Sequence, residues 1–347
     1  MTSRREYIAK IMHGTRLHGI ATRLHPWHGL VVLNYHRIGD PATSLLDRAV
    51  FSANAEGLAR QIDLVQLHAD LISPADVPTV LDPSSPRGRH VLITFDDGYR
   101  DNFDLALPVL KEKGVQATFF LNSGFLDTPR LPWNDEISWI VRSSKWPKIP
   151  QNSWLPKSYS LAPDEIDESI AQIHQHYVRL HGDPDKTSAF LNDLAEATGT
   201  GRAPSEVSQE LWMTWDMVRE MCAAGMTMGG HTVNHPSLAD ETADGQAAEI
   251  NGVRERLLTE LGESPNSFSY PYGGKHQFTE TTKSLVAADG YSHAFSFYGG
   301  FNTPGATDLY DIRRVYIAYN TTDTAIEGLV TFPQLYGLVP PRFPWKR

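Results

Sequence analysis

Past residue 30 the chain carries seven short apolar runs: VVLNYH (31–36), HVLITF (90–95), VQATFFL (115–121), MTMGGH (226–231), SFSYPY (267–272), SHAFSF (292–297) and IRRVYI (312–317). Their length and their β-branched and aromatic content predict buried strands. Helical stretches fit between them. Ser52 is placed to cap a helix whose apolar face is Ala55, Leu58, Ile62 and Val65. NFDLALPVLKEKG stops at Gly114, and Thr214 can cap WDMVREMCAAG, which stops at Gly225. TADGQAAEINGVRERLLTELG and TETTKSLVAADG are two more helices that end in glycine. Strand and helix alternating this often predicts an α/β fold with a mostly parallel sheet and right-handed crossovers. About seven such units point to a barrel rather than an open sheet.

The rhythm breaks between about 127 and 210, a stretch rich in proline and tryptophan that then turns helical along Ile166, Ile170, Ile173, Tyr177 and Leu180. It reads as an inserted helical subdomain or lid in a barrel domain spanning 30–325, with a C-terminal tail at 326–347. Residues 1–29 carry Arg4, Arg5, Lys10, Arg16 and Arg23 against Glu6 alone, with Ile8, Met12, Leu17, Ile20 and Leu24 near helical spacing. That is a basic N-terminal helical extension, which either packs on the domain or touches a membrane surface or a lipid-linked substrate.

Composition narrows the function. The 347 residues are 41% hydrophobic and 21% charged, as in ordinary globular proteins. A formal net charge of −10 argues against nucleic acid as the partner, because phosphate binding needs a basic footprint. Cys222 is the single cysteine, so no intrachain disulfide can form, which fits a reducing compartment. No run of about 18 apolar residues is present to span a bilayer, and no apolar segment follows the N-terminal arginines as in a secretory signal. A cytoplasmic protein, peripheral at the membrane if the basic segment docks there, is expected.

The candidate chemistry collects where the strands end, the functional face of a parallel barrel. His36, Asp96, Asp97, His231, His235 and Tyr272 all fall there. In LITFDDGY (92–99) an apolar strand stops at two adjacent carboxylates, whose mutual repulsion and burial need compensation. HTVNH (231–235) places two imidazoles four residues apart. Two imidazoles and one carboxylate are a common site for a catalytic divalent metal, and the dication would let the second carboxylate stay ionised beside it. Thr232, Val233 and Asn234 between the histidines cannot act as a base, which leaves the spare carboxylate of the pair.

TFDDGY, HTVNHPSL and YPYGG resemble the first three motifs of the polysaccharide deacetylase family (NodB homology domain, carbohydrate esterase family 4), in order across most of residues 31–317. The resemblance implies a distorted (β/α)7 barrel that removes N- or O-acetyl groups from sugars with one divalent metal ion, commonly zinc. By position, Asp96 resembles the catalytic base, Asp97 the metal-binding aspartate, and His231 and His235 the two metal histidines. Tyr272 matches the substrate-binding residue whose backbone N–H meets the acyl oxygen. Ser269 stands where the third motif often has an arginine, and Arg313 or Arg314 is left to orient Asp96. The family's late histidine acid is missing. VVLNYHRIG resembles instead the permuted poly-N-acetylglucosamine deacetylase type, in which the acid comes from the N-terminal strand, here His36. Trp133, Trp139 and Phe301 are candidate sugar-stacking surfaces. An N-acetylated sugar, oligosaccharide or polysaccharide is the implied substrate.

Two alternatives stand beside this one. A cyclic-amide hydrolase or a deformylase of a lipid-linked aminosugar would use the same barrel. A non-catalytic carbohydrate-binding protein would have no need of the intact Asp96, Asp97, His231 and His235.

Overall fold

The computed structural model describes residues 27–180 and 184–336. The basic extension up to residue 26 and the tail beyond 336 lie outside the described residues. All seven expected strands form: β1 (Gly29–Tyr35), β2 (Arg89–Asp97), β3 (Thr118–Leu121), β4 (Thr227–Gly230), β5 (Ser267–Ser269), β6 (His293–Phe295) and β7 (Arg314–Tyr316). They pair in parallel in the order β6-β5-β4-β3-β2-β1-β7, with Asp70–Leu71 added alongside the start of β2. A parallel bridge between Phe295 and Ile312, just before β7, brings the two ends together. The result is a nearly closed seven-stranded barrel, the distorted (β/α)7 architecture expected from the sequence.

Alternation along each strand builds two cores. Leu30, Val32, Leu92, Phe120, Phe295 and Ile312 fill the barrel interior. Val31, Leu33, Val91, Ile93 and Phe119 face outward against helix residues such as Leu58, Ile62, Leu110 and Val253. Each such aliphatic side chain, removed from water, contributes roughly 1.5–3 kcal/mol. Toward the C-terminal ends of the strands the inward positions turn polar, at Asn34, Thr94 and Arg314, all fully buried. That switch marks where the barrel stops being a hydrophobic plug and becomes a site.

The helices end as their caps dictate. Thr214, Thr242 and Thr279 each accept a backbone N–H at a helix start, and Gly114 and Gly262 close their helices in the left-handed region, at φ 64° and 77°. One cap differs from expectation. Asn54, not Ser52, caps Ala55–His68, accepting the Gly57 N–H. Ser52 lies in a short strand, Phe51–Ala53, and its hydroxyl serves His36 instead. The helix Asp323–Thr331 spans residue 326, where the tail was expected to begin, and buries Ile326, Leu329 and Val330 in the outer core. Trp27 joins that core and donates its indole N–H to the Val330 carbonyl. No helix among the described residues is long and apolar enough to cross a membrane.

The chain divides into two compact units. Among the described residues the barrel holds Trp27–Gly39, Phe51–Thr128 and Trp212–Tyr336; the second unit joins Asp40–Val50 to Pro129–Leu211. The second unit has its own core, with Ile137, Ile140, Ile173, Tyr177, Phe190 and Leu194 at its centre. Its two segments are tied by polar contacts, the Asp47 N–H donating to the Asp135 carboxylate and the Asn134 amide to Asp47.

Candidate active site

Within the barrel unit, Asp96 and Asp97 end β2, His231 follows β4 directly, Tyr272 lies three residues past β5, and His36 follows β1. The structure therefore brings His36, Asp96, Asp97, His231, His235 and Tyr272 to one end of the barrel.

Asp97, His231 and His235 offer ligand atoms all within 4.8 Å of one another. The Asp97 Oδ1 is buried and takes no hydrogen bond, and the Nε2 atoms of both histidines face it at 3.4 Å. The Nδ1 of His231 lies 2.7 Å from the Ser269 carbonyl, which can only accept. Nδ1 therefore carries a proton, and Nε2 is the atom presented to the carboxylate oxygen. With two ring nitrogens converging on one carboxylate oxygen, a cation fits between them, and the backbone-held histidine is the usual support of a metal ligand. These three residues fit a divalent metal. Burial works to raise the Asp97 pKa, but the neighbouring imidazoles of His231, His235 and His36 hold it well below the usual carboxylate range.

The backbone is strained to make this set. Asp97, Thr232, His235 and Tyr272 are the described non-glycine residues with positive φ, at 79°, 68°, 59° and 58°. Such conformations cost on the order of 1–3 kcal/mol each and cluster at functional sites. The loop that carries Thr232 and His235 is tied down by the Glu249 carboxylate, which accepts the Val233 and Asn234 N–H groups at 2.9 and 2.8 Å. The Thr232 hydroxyl accepts the His235 N–H, and the Asn122 amide donates to the His231 carbonyl.

Asp96 has a different environment. Arg314, with no exposed surface, donates from Nη1 to Oδ1 at 2.7 Å and from Nη2 to Oδ2 at 2.9 Å, and Asn34 donates to Oδ2 at 3.0 Å. Burial would push this carboxyl up, but the Arg314 charge, then His231, bring it below its ordinary value, so it is ionised at neutral pH. Of the two arginines open in the sequence, Arg314 is the partner of Asp96. Arg313 lies over the Tyr298 ring instead, 5.7 Å from its centre.

His36 is fixed through its backbone. Its N–H donates to the Ser52 hydroxyl at 3.0 Å and its carbonyl accepts from the Asn102 amide at 2.7 Å. Its ring packs beside Phe297 and Tyr316, at centroid distances of 5.5 and 6.1 Å. Burial lowers its pKa, the charges of Asp97 and Asp96 oppose the shift, and the imidazole is neutral at pH 7. The Tyr272 ring lies edge-on to His235 at 4.7 Å.

Of the aromatics considered for sugar stacking, Trp133 packs on Tyr177 and Trp139 lies against the same second-unit core, while Phe301 meets Trp27 edge-on at 5.4 Å against the barrel's outer core. All three are half-buried. Residues not singled out in the sequence are Asn34, Thr94, Asn102, Asn122 and Glu249. Asn34 and Thr94 left a signal, since each interrupts an apolar strand at an inward position.

The polysaccharide deacetylase family matches residues 84–294. The chain is 33% identical over 306 residues to YxkH of Bacillus subtilis (strain 168), a protein assigned to the polysaccharide deacetylases, covering 87% of this chain and 76% of that one. Its fold is similar to that of the Streptococcus pyogenes deacetylase PplD, solved in complex with acetate, with a TM-score of 0.57 at 18% identity over 90% of this chain and 99% of that one. It is likewise similar to IcaB from Ammonifex degensii, with a TM-score of 0.55 at 21% identity, covering 88% of this chain and 98% of that one.

Proposed function

This chain belongs to the polysaccharide deacetylase family, and on that premise we propose that it hydrolyses N-acetyl groups on an amino-sugar oligomer or polysaccharide, with zinc held by Asp97, His231 and His235. One observation carries the reading. Two adjacent carboxylates on one strand are drawn into separate environments, Asp97 facing two imidazoles and Asp96 facing a buried arginine. A carboxylate with two imidazole nitrogens suits zinc and leaves positions open for water and substrate. When bound, such an ion supplies Lewis acidity that polarises the acyl carbonyl and eases deprotonation of water.

The chain's own residues divide the remaining work. Asp96, ionised and held by Arg314, takes a proton from the attacking water, whose oxygen bonds to the acyl carbon. The Tyr272 backbone N–H meets the acyl oxygen as its charge grows. The C–N bond then breaks as His36 donates a proton to the sugar nitrogen, releasing acetate and the free amine. A lowered pKa makes protonated His36 a stronger donor, carried by a smaller share of molecules at neutral pH. Arg314 keeps Asp96 in line throughout.

Acetate release from N-acetylglucosamine oligomers, measured with metal content on the same sample, tests the proposal. Release that scales with metal occupancy is expected. A fully loaded protein that frees no acetate from these oligomers would reject it.

A further inference from the structure

The polar layer beneath Asp96 holds more than an arginine. Asn34 Nδ2 donates to Asp96 Oδ2 at 3.0 Å. Its Oδ1 accepts from Arg314 Nη1 at 2.8 Å and faces the Thr94 hydroxyl at 2.8 Å. The chemistry fixes which way the amide points. A guanidinium can only donate and a carboxylate can only accept, so the oxygen must face Arg314 and the nitrogen must face Asp96. Thr94, which shares its hydroxyl hydrogen between Asn34 and the Leu33 carbonyl at 3.1 Å, supports the same orientation. Arg314 is itself saturated, giving its remaining donors to the Ser296 carbonyl and the Ser269 hydroxyl.

The two oxygens of Asp96 are consequently unequal. Oδ2 receives two donors, from Arg314 and Asn34, which fill its lone-pair directions. Oδ1 receives one, from Arg314, and keeps a lone pair in reserve. We infer that Asn34 is a positioning residue that commits Asp96 to take its proton at Oδ1. This rests on the deacetylase reading, in which Asp96 is the base. In that step the water proton passes to Oδ1 as the water oxygen bonds to the acyl carbon, and the Asn34 bond to Oδ2 keeps the carboxylate from rotating. Asn34 touches neither substrate nor metal ligand in this role. Its loss should show in turnover and leave binding alone.

The test compares Asn34→Ala, Thr94→Val and the double variant in the metal-loaded protein, using N-acetylglucosamine oligomers. Asn34→Ala should lose about 10- to 100-fold in kcat, the range of a hydrogen bond to a charged group, with KM and metal content within about twofold of the unaltered protein. Thr94→Val, nearly isosteric, should fold normally and show a smaller loss in the same direction. The double variant should be no slower than Asn34→Ala, because the threonine acts only through the amide. Unchanged kcat in Asn34→Ala, a matching loss of metal, or additive losses in the double variant would overturn the inference. Failure of the deacetylase reading looks different: the unaltered, metal-loaded protein would itself release no acetate, and the inference would fall with its premise.

Discussion

Arg314→Met removes a buried cation of similar length and leaves Asp96 with Asn34 as its one remaining donor among the described residues. Asp96 is only 3% exposed, so bulk solvent makes up little of the lost guanidinium charge. Breaking a buried pair in this way costs roughly 3–5 kcal/mol, because the remaining charge is stranded. For a unit of this size that corresponds to a fall of roughly 6–20 °C in Tm. The pH dependence has a definite sign. In the unaltered protein the folded pKa of Asp96 lies below its ordinary value, so its contribution is present above about pH 4 and lost as the pH falls through the folded pKa. Without Arg314 the upward push of burial prevails, the folded carboxyl binds protons more readily than the unfolded one, and the penalty of the variant shrinks on acidification. A protonated Asp96 cannot act as a base, so kcat at pH 7 should fall by about 10² or more and the acidic limb of the rate profile should move to higher pH. Thermal melts at pH 7 and pH 4, with pH–rate profiles, read all three effects. Adding Asp96→Asn should restore part of the lost Tm, since it removes the stranded charge. A single variant with unaltered Tm and kcat, or a double variant no more stable than the single, would refute the pairing.

His36→Ala should keep its metal and lose about 10² or more in kcat on N-acetyl substrates, with a smaller loss on an activated O-acetyl ester whose leaving group needs little protonation. Its rate profile should also lose the high-pH limb, and near-normal amide turnover would remove His36 from the proton-transfer step. Burial pushes His293 down to about 4 from an ordinary value of 6.5. Its contribution is therefore whole above pH 6.5 and is lost as the pH falls toward 4, about 3 kcal/mol in all. Urea melts across that range should show the loss, and His293→Gln should flatten it; parallel curves would contradict the assignment. His235→Ala should lose metal and turnover together.

The barrel was legible in the sequence because its strands are buried on both sides and read as continuous apolar runs, from VVLNYH to IRRVYI. The site was legible because its residues sit at strand ends. What stayed hidden depends on contacts between distant segments. Arg313 and Arg314 are adjacent, and strand alternation sends neighbours to opposite faces; only the register of β7 on β1, with Val32 against Arg314, decides which one enters the barrel. Ser52 and Asn54 are both good capping residues two positions apart, so local chemistry could not separate the cap from the anchor of His36. Trp133 and Trp139 carry the same large apolar face whatever they pack on, and their placement against the cluster of Ile173 and Tyr177 is tertiary information. The union of Asp40–Val50 with Pro129–Leu211 left no local trace, since a short polar loop far away in sequence signals nothing about its partner.

The central claim is that Asp96 and Asp97, adjacent on one strand, do different work. The most direct test is the metal content per chain of Asp96→Asn and Asp97→Asn, each prepared with zinc and freed of excess. Asp96→Asn should hold about one metal per chain while its turnover falls by about 10² to 10⁴, and Asp97→Asn should lose both. Equal occupancy in the two variants, whether full or empty, would contradict the division of roles.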